Sequence, residues 1–351
     1  MDIPTTARRP WPQLAVGGAL AFAIGAAGCD RIVDRQIERN LSRTDTALLE
    51  SPDMTVVLCG TGSPLPDRER AGACTAIVAG GQVFLVDVGP GSWETLDLAD
   101  VPTSAVGAVF LTHFHSDHLG DLGEAITQSW IAGRREPLDV YGPDGVAAVV
   151  DGFQAAYAAD ARYRVAHHGE STLPAAGARA VAHAIALPDD PLGAVPVVDR
   201  AGVRVSAFRV DHQPVEPAVG YRFDYRGRSV VVSGDTRKSA SLAKNAAGAD
   251  LLVHEALQRD AIARVVAVAQ RTGRTRLAKL AGDIPGYHTS PVEAAEVARE
   301  AGVKRLVLTH LVPGPNNFIT RRMFLSGVSD AFPGDVVLGE DGMRFTLTPA
   351  S

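Results

Sequence analysis

The most informative segment of the chain is His113-Phe114-His115-Ser116-Asp117-His118, which directly follows the apolar run Ala108-Val109-Phe110-Leu111. Three imidazoles and one carboxylate on a single turn are costly to pack together without a cation, so we interpret them as metal ligands. The His-x-His pair places two side chains on one side of the turn, and the Asp-His pair turns away from it. The segment can therefore serve two adjacent metal ions. A solvated polar loop is the alternative interpretation.

Three further ligand-type residues, His212, Asp235 and His310, each end an apolar, strand-like run. In an α/β fold the ends of such strands meet at one edge of the sheet, and that edge is where these folds build their sites. We therefore expect the three residues to join the histidine-rich segment in one dinuclear site.

Several short motifs lie in order along the chain. They are Gly60-Thr61-Gly62-Ser63-Pro64, Leu85-Val86-Asp87-Val88-Gly89, Thr112-His113-Phe114-His115-Ser116-Asp117-His118, Tyr141-Gly142-Pro143, Gly220-Tyr221-Arg222, Ser233-Gly234-Asp235-Thr236, His254-Glu255-Ala256, His288-Thr289-Ser290 and Thr309-His310. The set resembles the metallo-β-lactamase superfamily, specifically its ribonuclease Z and arylsulfatase-like branch, from about residue 54 to the C-terminus. The resemblance implies a four-layer αββα sandwich, whereas periodicity alone indicates only an α/β fold.

The resemblance also implies a ligand set for each of two metal ions. One ion would be held by His113, His115 and His212, the other by Asp117, His118 and His310, with Asp235 bridging the pair. Such ligands suit two zinc ions, and manganese or iron remain alternatives because ligand type alone discriminates weakly. Two cations would draw the pKa of a water between them toward neutrality, which makes hydroxide available as the nucleophile.

Asp117 and His288 are the predicted catalytic residues. The ribonuclease Z branch carries a catalytic histidine in the motif that contains His288, so the resemblance implies that His288 protonates the leaving group. A helix-capping role is the alternative for this histidine. We expect His254 and Glu255 to brace the site rather than react, and Asp87 to orient the ligand loop.

The N-terminal region has the features of an export signal. Arg8-Arg9 precedes the uncharged stretch Leu14 to Ala27, whose 14 residues are fewer than the roughly 20 needed to span a bilayer. Ala26-Ala27-Gly28-Cys29 further resembles a lipoprotein cleavage site, in which Cys29 would carry the lipid. An uncleaved short membrane anchor is the alternative. We therefore expect an exported protein, periplasmic or membrane-anchored, that faces outside the cytosol.

Three regions are predicted. Residues 1–29 form the signal or anchor, residues 30–52 a polar stalk, and residues 53–351 a single hydrolase domain whose hydrophobic and charged fractions, 46% and 21%, are ordinary for a globular enzyme. Cys59 and Cys74 lie on neighbouring predicted strands. We interpret them as small buried hydrophobic residues rather than a disulfide, although pairing stays open.

Two β-rich halves, each flanked by helices, are predicted. Residues 143–202 are the least patterned part and are interpreted as an insertion near the site mouth, with a helix near 146–159. One helix is predicted over 262–279. A second is marked by Ser290 as N-cap, Pro291 at the first helical position, Glu293 completing a capping box, and Gly302 at the exit.

The function predicted from these features is a dinuclear zinc hydrolase that uses a metal-bound hydroxide. It would cleave a phosphate ester, above all a phosphodiester, or a sulfate ester of a small molecule outside the cytosol. The alternative within the family is a ribonuclease Z-type endonuclease that processes the 3′ end of tRNA. In that enzyme a long arm that grips tRNA lies between the third metal histidine and the bridging aspartate, whereas only 23 positions separate His212 from Asp235. The net charge of −6 also argues against a nucleic-acid partner.

Other classes are less well supported. A non-catalytic zinc-binding surface protein is the further alternative, and the complete ligand set argues against it. Lactam hydrolysis is disfavoured because the β-lactam branch uses a cysteine where Asp235 would bridge. A homodimer is compatible with the sequence, which determines neither the oligomeric state nor the organic group of the ester.

Overall fold

The computed structural model describes residues 26–41 and 46–350. The chain divides into two compact units, residues 1–43 and residues 44–351. In the first unit the described part is one helix, α1 (Ala26–Leu41), so the predicted export segment falls almost wholly outside the described residues. Among the described residues, no helix combines the length and apolar character that crossing a bilayer requires. The second unit begins with α2 (Ala47–Glu50), where Leu48 and Leu49 already pack against its core.

The strands of the second unit fall into two β-rich halves accompanied by helices, as the sequence predicts. In chain order they are β1 (Met54–Gly60), β2 (Cys74–Ala79), β3 (Gln82–Val86), β4 (Val106–Phe110), β5 (Leu138–Gly142), β6 (Ala180–Ala184), β7 (Ala194–Arg200), β8 (Val203–Val210), β9 (Ala218–Tyr225), β10 (Arg228–Val232), β11 (Leu251–Leu257), β12 (Arg305–Val312), β13 (Asp335–Leu338) and β14 (Arg344–Leu347).

These strands form two seven-stranded sheets. The first has the order β14-β1-β2-β3-β4-β5-β6, and the second has the order β13-β12-β11-β10-β9-β8-β7. In each sheet a run of four strands is parallel, namely β3 to β6 in the first and β10 to β13 in the second. The remaining neighbours pair antiparallel.

Helices cover the outer face of each sheet. In chain order they are α3 (Ser92–Leu98), α4 (Ser116–Leu119), α5 (Leu122–Ala132), α6 (Val146–His168), α7 (Ala240–Asn245), α8 (Arg259–Arg271), α9 (Thr275–Asp283), α10 (Pro291–Ala301), α11 (Phe318–Phe324) and α12 (Val328–Ala331). Short 3₁₀ turns occupy Thr103–Ala105 and Ile284–Gly286.

The core lies between the two sheets. Phe84 and Phe110 from the first sheet meet Phe223 from the second, with ring centroids 6.1 and 5.5 Å from that of Phe223, and all three are fully buried. Burying a side chain of this size contributes about 1.5–3 kcal/mol. Separate apolar clusters join the outer face of each sheet to its helices. The four-layer αββα sandwich expected from the family resemblance is confirmed.

Some elements differ from the sequence-based predictions. The helix predicted over 262–279 is two helices, α8 and α9, because Gly273 adopts a left-handed φ of +71° between them. The insertion at 143–202 contains the edge strands β6 and β7 and a helix that extends to His168. Pairing of β6 with β5 and of β7 with β8, and not local periodicity, makes these two short segments strands.

The interpretation of the two core cysteines was wrong. Cys59 and Cys74 form a disulfide, with Cα atoms 4.9 Å apart. Adjacent antiparallel strands bring them together, since β1 and β2 pair with Gly60 opposite Cys74. The sequence placed the cysteines on neighbouring strands but could not set the register that makes them meet.

Candidate metal centre

The carboxyl ends of parallel strands converge at one edge of the sandwich. The histidine-rich loop follows β4, Asp235 follows β10, Glu255 lies near the end of β11, and His310 lies in β12. His310 has a positive φ of 46°, which is unusual for a residue with a Cβ and is tolerated where surrounding structure imposes it. Parallel pairing thus delivers side chains that are far apart in the chain to one place.

The histidine-rich loop changes conformation in its middle. His115 is extended, with φ −66° and ψ 147°, and α4 begins at Ser116, so that Asp117 and His118 project from a helical turn. His113, Asp117 and His118 are buried, whereas His115 stays accessible. The change from extended to helical backbone separates the two pairs of side chains, as the spacing predicts.

A first cluster contains His113, His115, His212 and Asp235, with one potential ligand atom from each lying within 4.8 Å of the others. His113 Nε2 lies 2.9 Å from His115 Nδ1. Asp235 Oδ2 lies 3.9 Å from His113 Nε2 and 3.8 Å from His212 Nε2.

A second cluster contains Asp117, His118 and His310. Asp117 Oδ2 lies 3.2 Å from His310 Nε2 and 3.6 Å from His118 Nε2. Asp235 also reaches this cluster, because its Oδ2 lies 3.3 Å from His118 Nε2 and its Oδ1 lies 3.5 Å from His310 Nε2. Asp235 therefore stands between the two clusters, where the family resemblance implied a bridging residue.

Hydrogen bonds behind the clusters orient two of the imidazoles. His212 donates from Nδ1 to the backbone oxygen of Tyr287 at 3.0 Å, and His118 Nδ1 lies 2.8 Å from Oδ2 of Asp87. Each bond leaves Nε2 directed at the cluster, which is the arrangement of metal-ligating histidines. Asp87 also accepts from the backbone N–H and the hydroxyl of Thr112, so it orients the ligand loop.

The unpartnered atoms of the site indicate whether metal ions fit. Four buried atoms of the two clusters have no hydrogen-bond partner among the described residues: His118 Nε2, His212 Nε2, Asp235 Oδ1 and His310 Nδ1. A buried polar atom without a partner costs about 1–3 kcal/mol. The Nε2 atoms of His118 and His212 converge on the Asp235 carboxylate, 3.3 and 3.8 Å from its Oδ2, and together these atoms form a donor set for divalent cations. The described residues therefore fit a dinuclear metal site.

The electrostatics of the clusters are strongly coupled. Burial lowers the pKa of His113 well below its usual value, and the nearby His118 lowers it further. Burial acts in the same direction on His118, but the carboxylates of Asp235 and Asp87 outweigh it and hold its pKa well above the usual value. In Asp235, burial is outweighed by His310 and His118, which hold its pKa well below the usual range. The bridging position thus favours an ionised carboxylate.

A second polar group adjoins the clusters. His288 Nδ1 lies 3.0 Å from Glu255 Oε1, which also accepts from the backbone N–H groups of Thr289 and Thr236. Burial lowers the pKa of His288, but the Glu255 carboxylate outweighs burial and raises it to about 9. His288 Nδ1 lies 4.0 Å from Asp235 Oδ2, so a proton carried by His288 stands beside the clusters.

His254 occupies a different position. It is fully buried, and its Nδ1 lies 2.8 Å from the backbone oxygen of Glu255. Among the described residues, His254 forms a hydrogen bond with Glu255 and with none of the seven residues of the two clusters.

The sequence analysis missed two contributors to the site, Thr112 and the backbone oxygen of Tyr287. Thr112 stands next to the histidine-rich segment, whereas a backbone oxygen leaves no trace in a sequence.

Comparisons with known proteins agree with this architecture. Residues 83–311 match a family described as a β-lactamase superfamily domain. A protein named ribonuclease Z from Mycobacterium bovis (strain BCG / Pasteur 1173P2) is 38% identical over 301 residues, which cover 84% of this chain and 99% of that protein. One of the same name from Mycolicibacterium paratuberculosis (strain ATCC BAA-968 / K-10) is 41% identical over 261 residues, covering 74% and 86%.

Solved structures share the fold at lower identity. The metallo-β-lactamase fold protein YhfI from Bacillus subtilis matches with a TM-score of 0.60 and 20% identity, and human tRNase Z, short form (ELAC1), with 0.59 and 22%. Each match covers 84% of this chain and 99% of the other. The chain therefore belongs to the metallo-β-lactamase superfamily, in its ribonuclease Z-like branch.

Proposed function

We propose that the chain is a dinuclear zinc phosphodiesterase of ribonuclease Z type that cleaves RNA near a 3′ end. One observation carries the chemistry: Asp235 stands within 4 Å of histidines from both clusters. The substrate is inferred from the name that the relatives carry. An RNA substrate replaces the expectation, drawn from the net charge, that the protein has no nucleic-acid partner. Net charge describes the whole surface and not the part of it that contacts a substrate.

Each residue of the site has a distinct task in this proposal. The two clusters would hold the metals, which when bound supply Lewis acidity and an activated water. His288 delivers a proton to the leaving oxygen, and Glu255 keeps its imidazole oriented and protonated. Thr289 and Thr236 position the Glu255 carboxylate through their N–H groups. Asp117 and His310, whose Oδ2 and Nε2 atoms lie 3.2 Å apart, would both be ligands of one metal.

A second candidate is a hydrolase of small phosphodiesters or sulfate esters outside the cytosol. The segment between His212 and Asp235 favours it, because it contains only the hairpin β9–β10 and has no room for an RNA-gripping arm. The Cys59–Cys74 disulfide also supports a location outside the reducing cytosol. We propose export on this basis. Cell fractionation tests whether the protein is exported. Lipid labelling of the parent chain and of Cys29→Ala then distinguishes a lipoprotein, in which only the parent is labelled, from an uncleaved anchor, in which neither is.

One assay separates the two candidates. The purified chain is reconstituted with zinc and given, in parallel, a precursor tRNA with a 3′ trailer, bis(p-nitrophenyl) phosphate and p-nitrophenyl sulfate. His212→Ala serves as the site variant, and His167→Ala, an exposed histidine at the end of α6, as its control. Cleavage of the precursor at one 3′ position, lost in His212→Ala alone, supports the RNA substrate. Hydrolysis of the small esters without cleavage of the precursor overturns it in favour of the second candidate.

A further inference from the structure

The helical pair α8–α9 differs in charge from the rest of the chain. Residues 258–283 contain six basic side chains and two carboxylates, a net charge of +4 within a chain of net charge −6. Four arginines, Arg264, Arg271, Arg274 and Arg276, are exposed and form no ion pair with a described residue. The pair therefore presents a locally cationic surface.

The same helices expose apolar side chains. Val265 and Val268 on α8 are 37% and 46% exposed, and Leu277 and Leu280 on α9 are 39% and 54% exposed. Each pair is spaced i, i+3 and so shares a helix face. A different set, which includes Ile262 and Ala281, packs inward on Leu257 and Val312. The exposed residues are therefore additional to those that hold the helices on the domain.

Helix α11 extends this surface. Phe318 and Ile319 are 77% and 69% exposed, and Arg322 follows them one turn later. Arg264 lines both a cavity of about 360 Å³ that it shares with α11 and a cavity of about 470 Å³ between α8 and α9. The cations and apolar side chains of α8, α9 and α11 thus form one continuous surface, which we name the basic apolar patch.

The patch adjoins the metal centre. Helix α8 begins two residues after the end of β11, the strand that carries Glu255, and Arg259 Nη2 donates to the backbone oxygen of His288 at 3.4 Å. Gln258 ties α11 to the same place by donating to the backbone oxygen of Met323 at 3.1 Å. The end of the patch at the start of α8 therefore lies next to His288.

We propose that the basic apolar patch docks the protein on an anionic lipid bilayer. Arginines that pair with lipid phosphates and aliphatic side chains that enter the boundary between headgroups and acyl chains are the two components of interfacial binding. RNA phosphates would engage the arginines but give the exposed valines and leucines no partner. A second copy would place like charges opposite each other in a two-fold interface. This inference concerns location at a surface and is independent of the ester that the site cleaves.

Vesicle co-sedimentation of the full chain tests the proposal, with phosphatidylcholine vesicles and phosphatidylcholine–phosphatidylglycerol vesicles in parallel. Arg274→Glu/Arg276→Glu removes two cations of the patch, and Leu280→Glu/Ile319→Glu removes two apolar side chains. The matched controls are Arg135→Glu/Arg162→Glu and Leu98→Glu, which change exposed residues outside the patch, Leu98 being 70% exposed.

We expect the parent chain and both controls to bind phosphatidylglycerol vesicles and the two patch variants to bind at least tenfold more weakly, since each cation near an anionic surface contributes about fivefold. Hydrolysis of bis(p-nitrophenyl) phosphate in solution should stay unchanged, which shows that the variants fold. Equal binding by all variants, or no binding by the parent, overturns the proposal. If the patch variants bind a tRNA more weakly in a gel-shift assay but still bind vesicles, the patch is assigned to RNA. If the patch variants are monomers where the parent chain is a dimer by mass, the patch is assigned to a second copy.

Discussion

His288 lies with its Nδ1 3.0 Å from Oε1 of Glu255, and both side chains are buried beside the two clusters of potential metal ligands. A carboxylate can only accept, so Nδ1 donates and the other ring nitrogen stays available for a substrate. Thr289, the residue after His288, donates its backbone N–H to the same oxygen at 3.0 Å. Glu255 therefore fixes both the side chain and the backbone of the predicted proton donor.

We predict that His288→Ala retains both metals but lowers turnover about 10²–10⁴-fold for an alkyl phosphodiester. The loss should be smaller for a nitrophenyl ester, because nitrophenolate scarcely needs a proton to leave. Steady-state kinetics on the two esters, with elemental analysis of the same samples, measures this. Equal losses on both esters would show that the histidine is structural.

We predict that Asp235→Ala loses metal and activity together. Asp235 is the carboxylate that approaches both clusters, so its removal leaves two cations with less compensating charge. Elemental analysis should find about two zinc ions per parent chain and fewer in the variant, with chelation abolishing activity of the parent. Asp199→Ala, which alters an exposed aspartate, is the control. Full metal content in Asp235→Ala would contradict the bridging role.

We predict that reduction destabilises the folded domain. The Cys59–Cys74 disulfide joins residues separated by 15 positions, and closing a loop of that length contributes about 3 kcal/mol in the chain-entropy treatment. Urea unfolding with and without a reductant measures the difference. The double variant Cys59→Ala/Cys74→Ala should be insensitive to the reductant. A parent chain whose midpoint does not move on reduction would contradict the prediction.

We predict that Ser290→Ala lowers the free energy of unfolding by about 1 kcal/mol, because it removes the capping box at the start of α10.

We predict that Glu293→Gln also lowers the free energy of unfolding, by an amount that depends on pH. Burial raises the pKa of Glu293, but hydrogen bonds from Ser290 and the ion pair with Arg259 outweigh it and hold the pKa below its ordinary value of 4.5. A depressed folded pKa stabilises above the unfolded pKa, and that contribution is lost as pH falls through the folded value. The difference between parent and variant should therefore shrink below about pH 4.5, and a difference that grows there would contradict it.

Local patterns predicted much of the fold. The apolar, strand-like run before His212 is strand β8, Val203–Val210, because this hydrophobic run is bounded by polar and turn residues. The capping box at Ser290 and the left-handed Gly302, with φ 63°, are also as predicted for α10. Each of these features depends on residues within a few positions of one another, so the sequence contains the whole interaction.

The sequence by itself determined the types of side chain at the site and their order along the chain, since the histidine-rich segment carries four of them on one turn. Only the tertiary structure decided which of them meet. His310 reaches Asp117 across 193 positions, and His212 finds the backbone oxygen of Tyr287 across 75. These contacts between residues far apart in the sequence depend on the register of parallel strands within each sheet and on the packing of the two sheets on a shared core. Strand register also joined Cys59 to Cys74, here between the antiparallel strands β1 and β2, because register depends on the summed burial of whole strands and not on any local motif.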